Sequence, residues 1–158
     1  MTAMGLFLTE SLEICFKRAE SVDDYRLCAD IWLEASLKAH DFIDAEFWKA
    51  NRDRMVSHYL PASETTLASV VGENSPAAFS AVRGERLEAL FVRPDHWGRG
   101  LGRAVLSHLS APGRRLSLAV YADNRRAVEF YLKNGFSIQA EGPCPHSWAR
   151  ELEMIRLG

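Results

Sequence analysis

The sequence predicts a single α+β domain: a mixed, mainly antiparallel sheet flanked by helices. Three observations lead to that expectation. Residues 65–92 hold three short apolar runs, "TTLASVV", "PAAFSAV" and "RLEALFV", parted by turns at 72–76 and 83–85, the pattern of an antiparallel meander. Amphipathic helical stretches precede this meander, and helix and strand alternate after it. Finally, 158 residues at 47% hydrophobic and 25% charged supply one core and leave no room for a second.

Residues 1–12 read as a loosely specified leader and 13–158 as the domain. "EICFKRA" (13–19) alternates well enough for a first strand. "SVDD" then forms a capping box, with Ser21 as N-cap and Asp24 facing back. The helix it opens carries Tyr25, Cys28, Ile31, Trp32 and Ala35 on one stripe, as a helix packed on a sheet requires. A second helix spans 44–60 and is stopped by Pro61. After the meander the chain runs through "RPDHWGRGLG" into a helix at 101–109, a strand at 115–121, and a helix at 124–134 closed by Gly135. Two last strands lie around "FSIQAEG" and "ARELEMIRL".

Composition excludes several classes of function. A formal net charge of -2 offers no general attraction for nucleic acid, so any positive patch is local. The three cysteines, Cys15, Cys28 and Cys144, are widely spaced and lie in no C-x-x-C pattern, which argues against a disulfide scaffold or a zinc site and suits a reducing cytoplasm. No metal is expected. No stretch has the length and apolarity of a membrane span, and the start lacks the basic and apolar blocks of an export signal.

The chemistry concentrates at "HWGRGLGRAVLSHL" (96–109). Where a strand gives way to a helix, the first turn leaves N–H groups unpaired, and the helix dipole favours an anion there. Glycine at 98, 100 and 102 removes Cβ, so the main chain can curl around phosphate oxygens, and Arg99 and Arg103 add charge. The stretch lacks the lysine of a mononucleotide P-loop, and its G-x-G-x-G spacing follows a meander, unlike a dinucleotide fingerprint.

"LFVRPDHWGRGLGRAVL" resembles the acyl-CoA pyrophosphate loop of the GNAT N-acetyltransferase superfamily, whose pattern is [QR]-x-x-G-x-[GA]. "NRRAVEFYLKNGF" is similar to that family's second signature, N-x-x-A-x-x-F-Y. The resemblance runs from Glu13 onward through most of the chain. It implies a three-layer α/β/α domain whose sheet is splayed at the cofactor site. It implies acetyl-CoA as acyl donor and direct transfer of the acetyl group to a primary amine of a small molecule or protein, without a covalent acyl-enzyme. Backbone groups of Leu90, Phe91 and Val92 would pair with pantetheine, the N–H groups of Gly98, Arg99, Gly100, Leu101, Gly102 and Arg103 would hold the pyrophosphate, and Asn124 and Ala127 would flank the pantetheine arm. Tyr131 would protonate the departing thiolate.

Two departures from the family pattern matter. Relatives that modify protein amines place Glu on the strand after the loop, where this chain has Ala119. Glu88 is the nearest substitute as base, directly or through water, and reads equally as a solvent-facing strand carboxylate. His40, with Phe42 in the same loop between the first two helices, belongs to the acceptor side in this family and is the other candidate. Trp97 stands where the pattern has Gln or Arg, and packing against the helix is the favoured reading. Trp32, Phe47 and Trp48 read as core or as the wall of the acceptor cleft, with core favoured, and Cys144 as an inert thiol. Two alternatives stay open: an acyl-CoA-binding sensor that does not catalyse, and a toxin-like aminoacyl-tRNA acetyltransferase, for which the basic face is missing. A cytoplasmic monomer or homodimer is expected, with no nucleic-acid or membrane partner.

Overall fold

The structure, a computed structural model, describes residues 12–158. Most of the expected leader therefore lies outside the described residues. The chain forms β1 (Ile14–Arg18), α1 (Val22–Ala39), α2 (Ala45–Arg54), β2 (Glu64–Val70), β3 (Ala78–Arg83) and β4 (Arg86–Val92). It continues through α3 (Leu101–Leu109), β5 (Leu116–Tyr121), α4 (Arg125–Lys133), β6 (Ser137–Pro143) and β7 (Arg150–Arg156). The seven strands make one sheet in the order β1-β2-β3-β4-β5-β7-β6. Every pair in it is antiparallel except β4 with β5.

Alternation along the central strands explains the layering. Leu67, Phe79 and Ala81 pack with Ile31, Trp32 and Trp48 of α1 and α2 on one face. Their neighbours Ala68, Val70 and Ala78 pack with Leu101 and Val105 of α3 on the other. A strand covered on both faces reads as a continuous apolar run, which is why β3 is buried along almost its whole length. A third cluster joins Leu106 and Leu109 of α3, Tyr131 of α4 and Leu118, Val120, Leu152 and Met154 of β5 and β7. The expected three-layer α/β/α arrangement is thus present.

Helix starts follow the expected chemistry. Ser21 Oγ accepts from Asp24 N at 3.1 Å, and Asp24 Oδ2 accepts from the N–H groups of Ser21 at 3.3 Å and Glu20 at 3.1 Å. Ser21→Ala is expected to cost about 1 kcal/mol, which lowers Tm by roughly 2–4 °C in a domain of this size. Ser21→Gly should cost only a few tenths of that. An unchanged melting curve for the alanine variant would show that the cap carries no load. α2 departs from a uniform helix: Met55–Tyr59 widen into one π turn, closed by Leu60 N donating to Met55 O at 3.0 Å, before Pro61 ends it. That extra residue per turn lets Met55 and Leu60 both reach the core.

Two irregularities in the sheet prepare the site. β4 and β5 share one residue pair, Arg86 with Ser117, and then diverge, so residues 87–92 have no strand partner on that side. On its other edge β4 pairs with β3 as Ala81 with Ala89 and then Val82 with Leu87. Glu88 is the extra residue of that step, a β-bulge that leaves it outside the ladder.

Candidate active site

The glycines of the 98–102 loop serve different ends. Gly98 and Gly100 adopt left-handed φ of 79° and 85°. Gly100 is the N-cap of α3 and supplies no side chain, so the first N–H groups of the helix stay free. A Cβ added at Gly100 would meet nothing within 4 Å, whereas one at Gly102 would meet Phe130 Cζ at 3.4 Å. Gly102 therefore lets α4 approach, and Gly100 keeps a cradle open in front of the helix dipole.

That cradle opens into a cavity of about 580 Å³. Leu90, Phe91, Val92, Gly98, Gly100, Leu101, Gly102, Arg103, Asn124 and Ala127 all line it. Arg99 does not: its guanidinium turns to Glu73 at 3.7 Å. Glu73 also meets His96 Nε2 at 2.6 Å, and Asp95 meets His96 Nδ1 at 2.6 Å. Burial works against a charged His96, but these two carboxylates outweigh it and raise its pKa above the ordinary value. Arg126 stands at the cavity instead, with its guanidinium 4.8 Å from the Trp97 ring centroid. Trp97 also donates its indole N–H to the Val92 carbonyl at 2.8 Å, so it packs the loop onto the end of β4.

A second cavity, also about 580 Å³, lies on the far side of the split between β4 and β5. Both cavities are lined by Leu90, Phe91, Asn124, Ala127 and Tyr131, which form the neck between them. Tyr131 is buried, at 8% exposure. Burial raises the pKa of its phenol, so it stays protonated near neutrality. Asn124 caps α4 by accepting from Ala127 N at 3.3 Å, and its amide lies 3.1 Å from His40 Nε2.

His40 is buried in an aromatic box. Its ring stacks on Trp48 with centroids 5.0 Å apart and meets Tyr121 edge-on at 5.0 Å and Phe42 at 5.7 Å. Burial pushes its pKa down to about 4, so the ring is neutral at physiological pH. With Nε2 against the amide donor of Asn124, the proton sits on Nδ1. Phe42 stands behind His40 and lines neither cavity. Glu88 and Ala119 both line the second cavity, from the two strands that diverge.

Sequence reasoning passed over Tyr121, whose hydroxyl accepts from Ser147 Oγ at 3.1 Å and lies 3.5 Å from Cys144 Sγ. Burial, followed by the neighbouring thiol, raises its pKa. The sequence reads the helix surface carrying Arg52, Asp53 and Arg54 as solvated and gives no signal for Arg83 or Glu151, yet Arg54, Arg83 and Glu151 all line the second cavity. Arg126 lies inside the quoted second signature, and its position at the opening of a helix facing a glycine loop was the available signal.

Residues 20–136 match the family model described as "Acetyltransferase (GNAT) family". The peptidyl-lysine N-acetyltransferase YjaB of Salmonella typhimurium is 31% identical over 125 residues, which is 79% of this chain and 84% of that protein. The apo form of YjaB from Escherichia coli, determined in solution, superposes with a TM-score of 0.78 at 27% identity, covering 93% of this chain and 99% of that one. The PaiA N-acetyltransferase of Thermoplasma acidophilum, crystallised with coenzyme A, shares the fold with a TM-score of 0.69 at 14% identity, covering 93% and 100%.

Proposed function

Because the chain belongs to the GNAT acetyltransferase family, and so is an acetyl-CoA-dependent N-acetyltransferase, we propose that it transfers the acetyl group directly to a primary amine, specifically the ε-amine of a lysine. The observation that supports this reading is the meeting of two cavities at Tyr131, one lined by the glycine loop and the other by Glu88. The names of the 30–31% identical relatives favour lysine among primary amines.

Each chemical requirement has a candidate group. The donor's pyrophosphate fits the free N–H groups at 100–103, with Arg103 and Arg126 beside them, and the open space over Gly100 gives its oxygens room. The open edge of β4 at 90–92 holds the pantetheine amides as a neighbouring strand would. An ammonium has no lone pair to attack with, so Glu88 takes its proton, directly or through a water. Tyr131 donates its hydroxyl proton to the thiolate as the C–S bond breaks. His40 positions Asn124 and takes no proton, since its Nε2 is engaged and its pKa lies near 4.

Pure protein incubated with acetyl-CoA and an amine panel that includes a lysine peptide, with free thiol followed, tests the whole reading. Thiol release that depends on the amine supports transfer. Binding of acetyl-CoA without release by any amine means a sensor and ends the proposal. Glu88→Gln keeps shape while removing basicity. It is expected to lower turnover by roughly 10²-fold, the bottom of the general-base range, most strongly at low pH. Part of the loss should return as rising pH deprotonates the free amine, with acetyl-CoA affinity unchanged. A pH profile matching the parent's in height and shape would remove Glu88 from the reaction.

A further inference from the structure

The second cavity carries charges of both signs that have not met. Arg54, at the end of α2, lies 5.8 Å from the Tyr59 ring centroid, and Arg83 ends β3. Both line the cavity, as do Glu88 at the bulge of β4 and Glu151 of β7. Among the described residues, none of these four lies within 4.0 Å of an opposite charge. The contrast with Arg86 is informative: it stands directly across from Arg83 in the ladder but binds Glu153 and Ser117, so its charge is already answered.

Like charges directly opposite on neighbouring strands are unfavourable. Arg83 is thus a cation beside a second cation, with no carboxylate of its own. Arg83 lies opposite Arg86, and Glu88 follows two residues along β4 as the extra residue of the bulge. The sheet register separates the charges: Arg83 lies at the rung of Arg86 and Ser117, Glu88 lies two residues along β4 from Arg86, and Glu151 pairs with Tyr121, four residues along β5 from Ser117. Such a cavity is complementary to a ligand that is itself dipolar.

Resting on the lysine reading above, we infer that the preferred acceptor is a lysine accompanied by a carboxylate. The ε-amine enters toward Glu88 and Glu151, and the carboxylate stays at the rim with Arg83 and Arg54. The carboxylate comes either from an acidic residue beside the lysine or from the lysine's own main-chain terminus. The same rim works against polyamines and against lysines in arginine-rich stretches, because a second cation on the acceptor would face two guanidinium groups.

The test compares kcat/KM at saturating acetyl-CoA for end-blocked peptides with lysine flanked by Asp, Ala or Arg, and for Nα-acetyl-lysine against its amide. The Asp-flanked peptide, or Nα-acetyl-lysine over its amide, is expected to exceed the neutral counterpart by roughly three- to tenfold, the scale of two exposed ion pairs. Whichever pair shows the preference identifies the source of the carboxylate. The Arg-flanked peptide should be the poorest, and the preference should shrink in high salt. In Arg54→Gln/Arg83→Gln, checked for an unchanged melting curve, the acidic-to-neutral ratio should fall towards one. A ratio near one in the parent, or an undiminished ratio in the double variant, overturns the inference while leaving the lysine reading standing. No turnover of any lysine arm overturns both.

Discussion

Tyr131→Phe is expected to lower kcat by roughly 10²- to 10⁴-fold, the range for a lost general acid, with the fold and acetyl-CoA affinity intact. The phenol is in the neck shared by both cavities, and burial keeps it protonated. Removing one oxygen leaves the ring in its packing against Phe130 and Phe136, with centroids at 5.2 and 5.3 Å. Stability therefore changes little, and the loss appears in the rate. Acceptors whose chemistry is limited by thiolate departure suffer most. Unchanged turnover would make Tyr131 a packing residue, and weaker acetyl-CoA binding at an unchanged rate would make it a pantetheine contact.

Gly100→Val should abolish the thermal protection that acetyl-CoA gives. A ligand bound only by the native state stabilises it by RT ln(1 + [L]/Kd), about 2.7 kcal/mol at a hundredfold excess over Kd. Valine attacks that gain in two ways. Its β-branched side chain resists the φ of 85° that residue 100 adopts, and its methyl groups occupy the space kept free in front of the first N–H groups of α3. The apo protein loses some stability from the backbone strain alone, so the informative quantity is the ligand-induced shift in Tm. Full protection in the variant would place the pyrophosphate elsewhere.

The features legible in the sequence were those that depend on local chemistry. A capping box, a glycine after a helix and turns between apolar runs are requirements of the adjacent backbone, and the residues that meet them must be neighbours. The pyrophosphate loop was legible for the same reason, since bare backbone has to be spelled in glycine. Arg99 shows the limit: its spacing suggested a phosphate contact, yet Glu73, far upstream, draws it away. Arg126 reaches the cavity because α4 packs beside the loop, a fact of tertiary assembly. The bulge at Glu88 left no trace in "RLEALFV", which opens with one polar–apolar alternation and ends in the apolar run of an ordinary strand. Nor could the shared cavity of Arg54, Arg83 and Glu151 be read, because it joins α2, β3 and β7 across nearly a hundred residues.

The one-rung contact between β4 and β5 bears on how the molecule carries mechanical load. Everything before the seam and everything after it are joined in the sheet at Arg86 and Ser117, with α3 and the packed cores bridging the remainder. Under the proposed chemistry the donor's pantetheine lies along that seam and becomes a temporary strand, so the sheet is continuous only while the donor is held. The enzyme is then stiffest when charged with its donor and loosest after the spent thiol departs. On that reading, an acceptor that enters after the donor meets a wall the donor has completed.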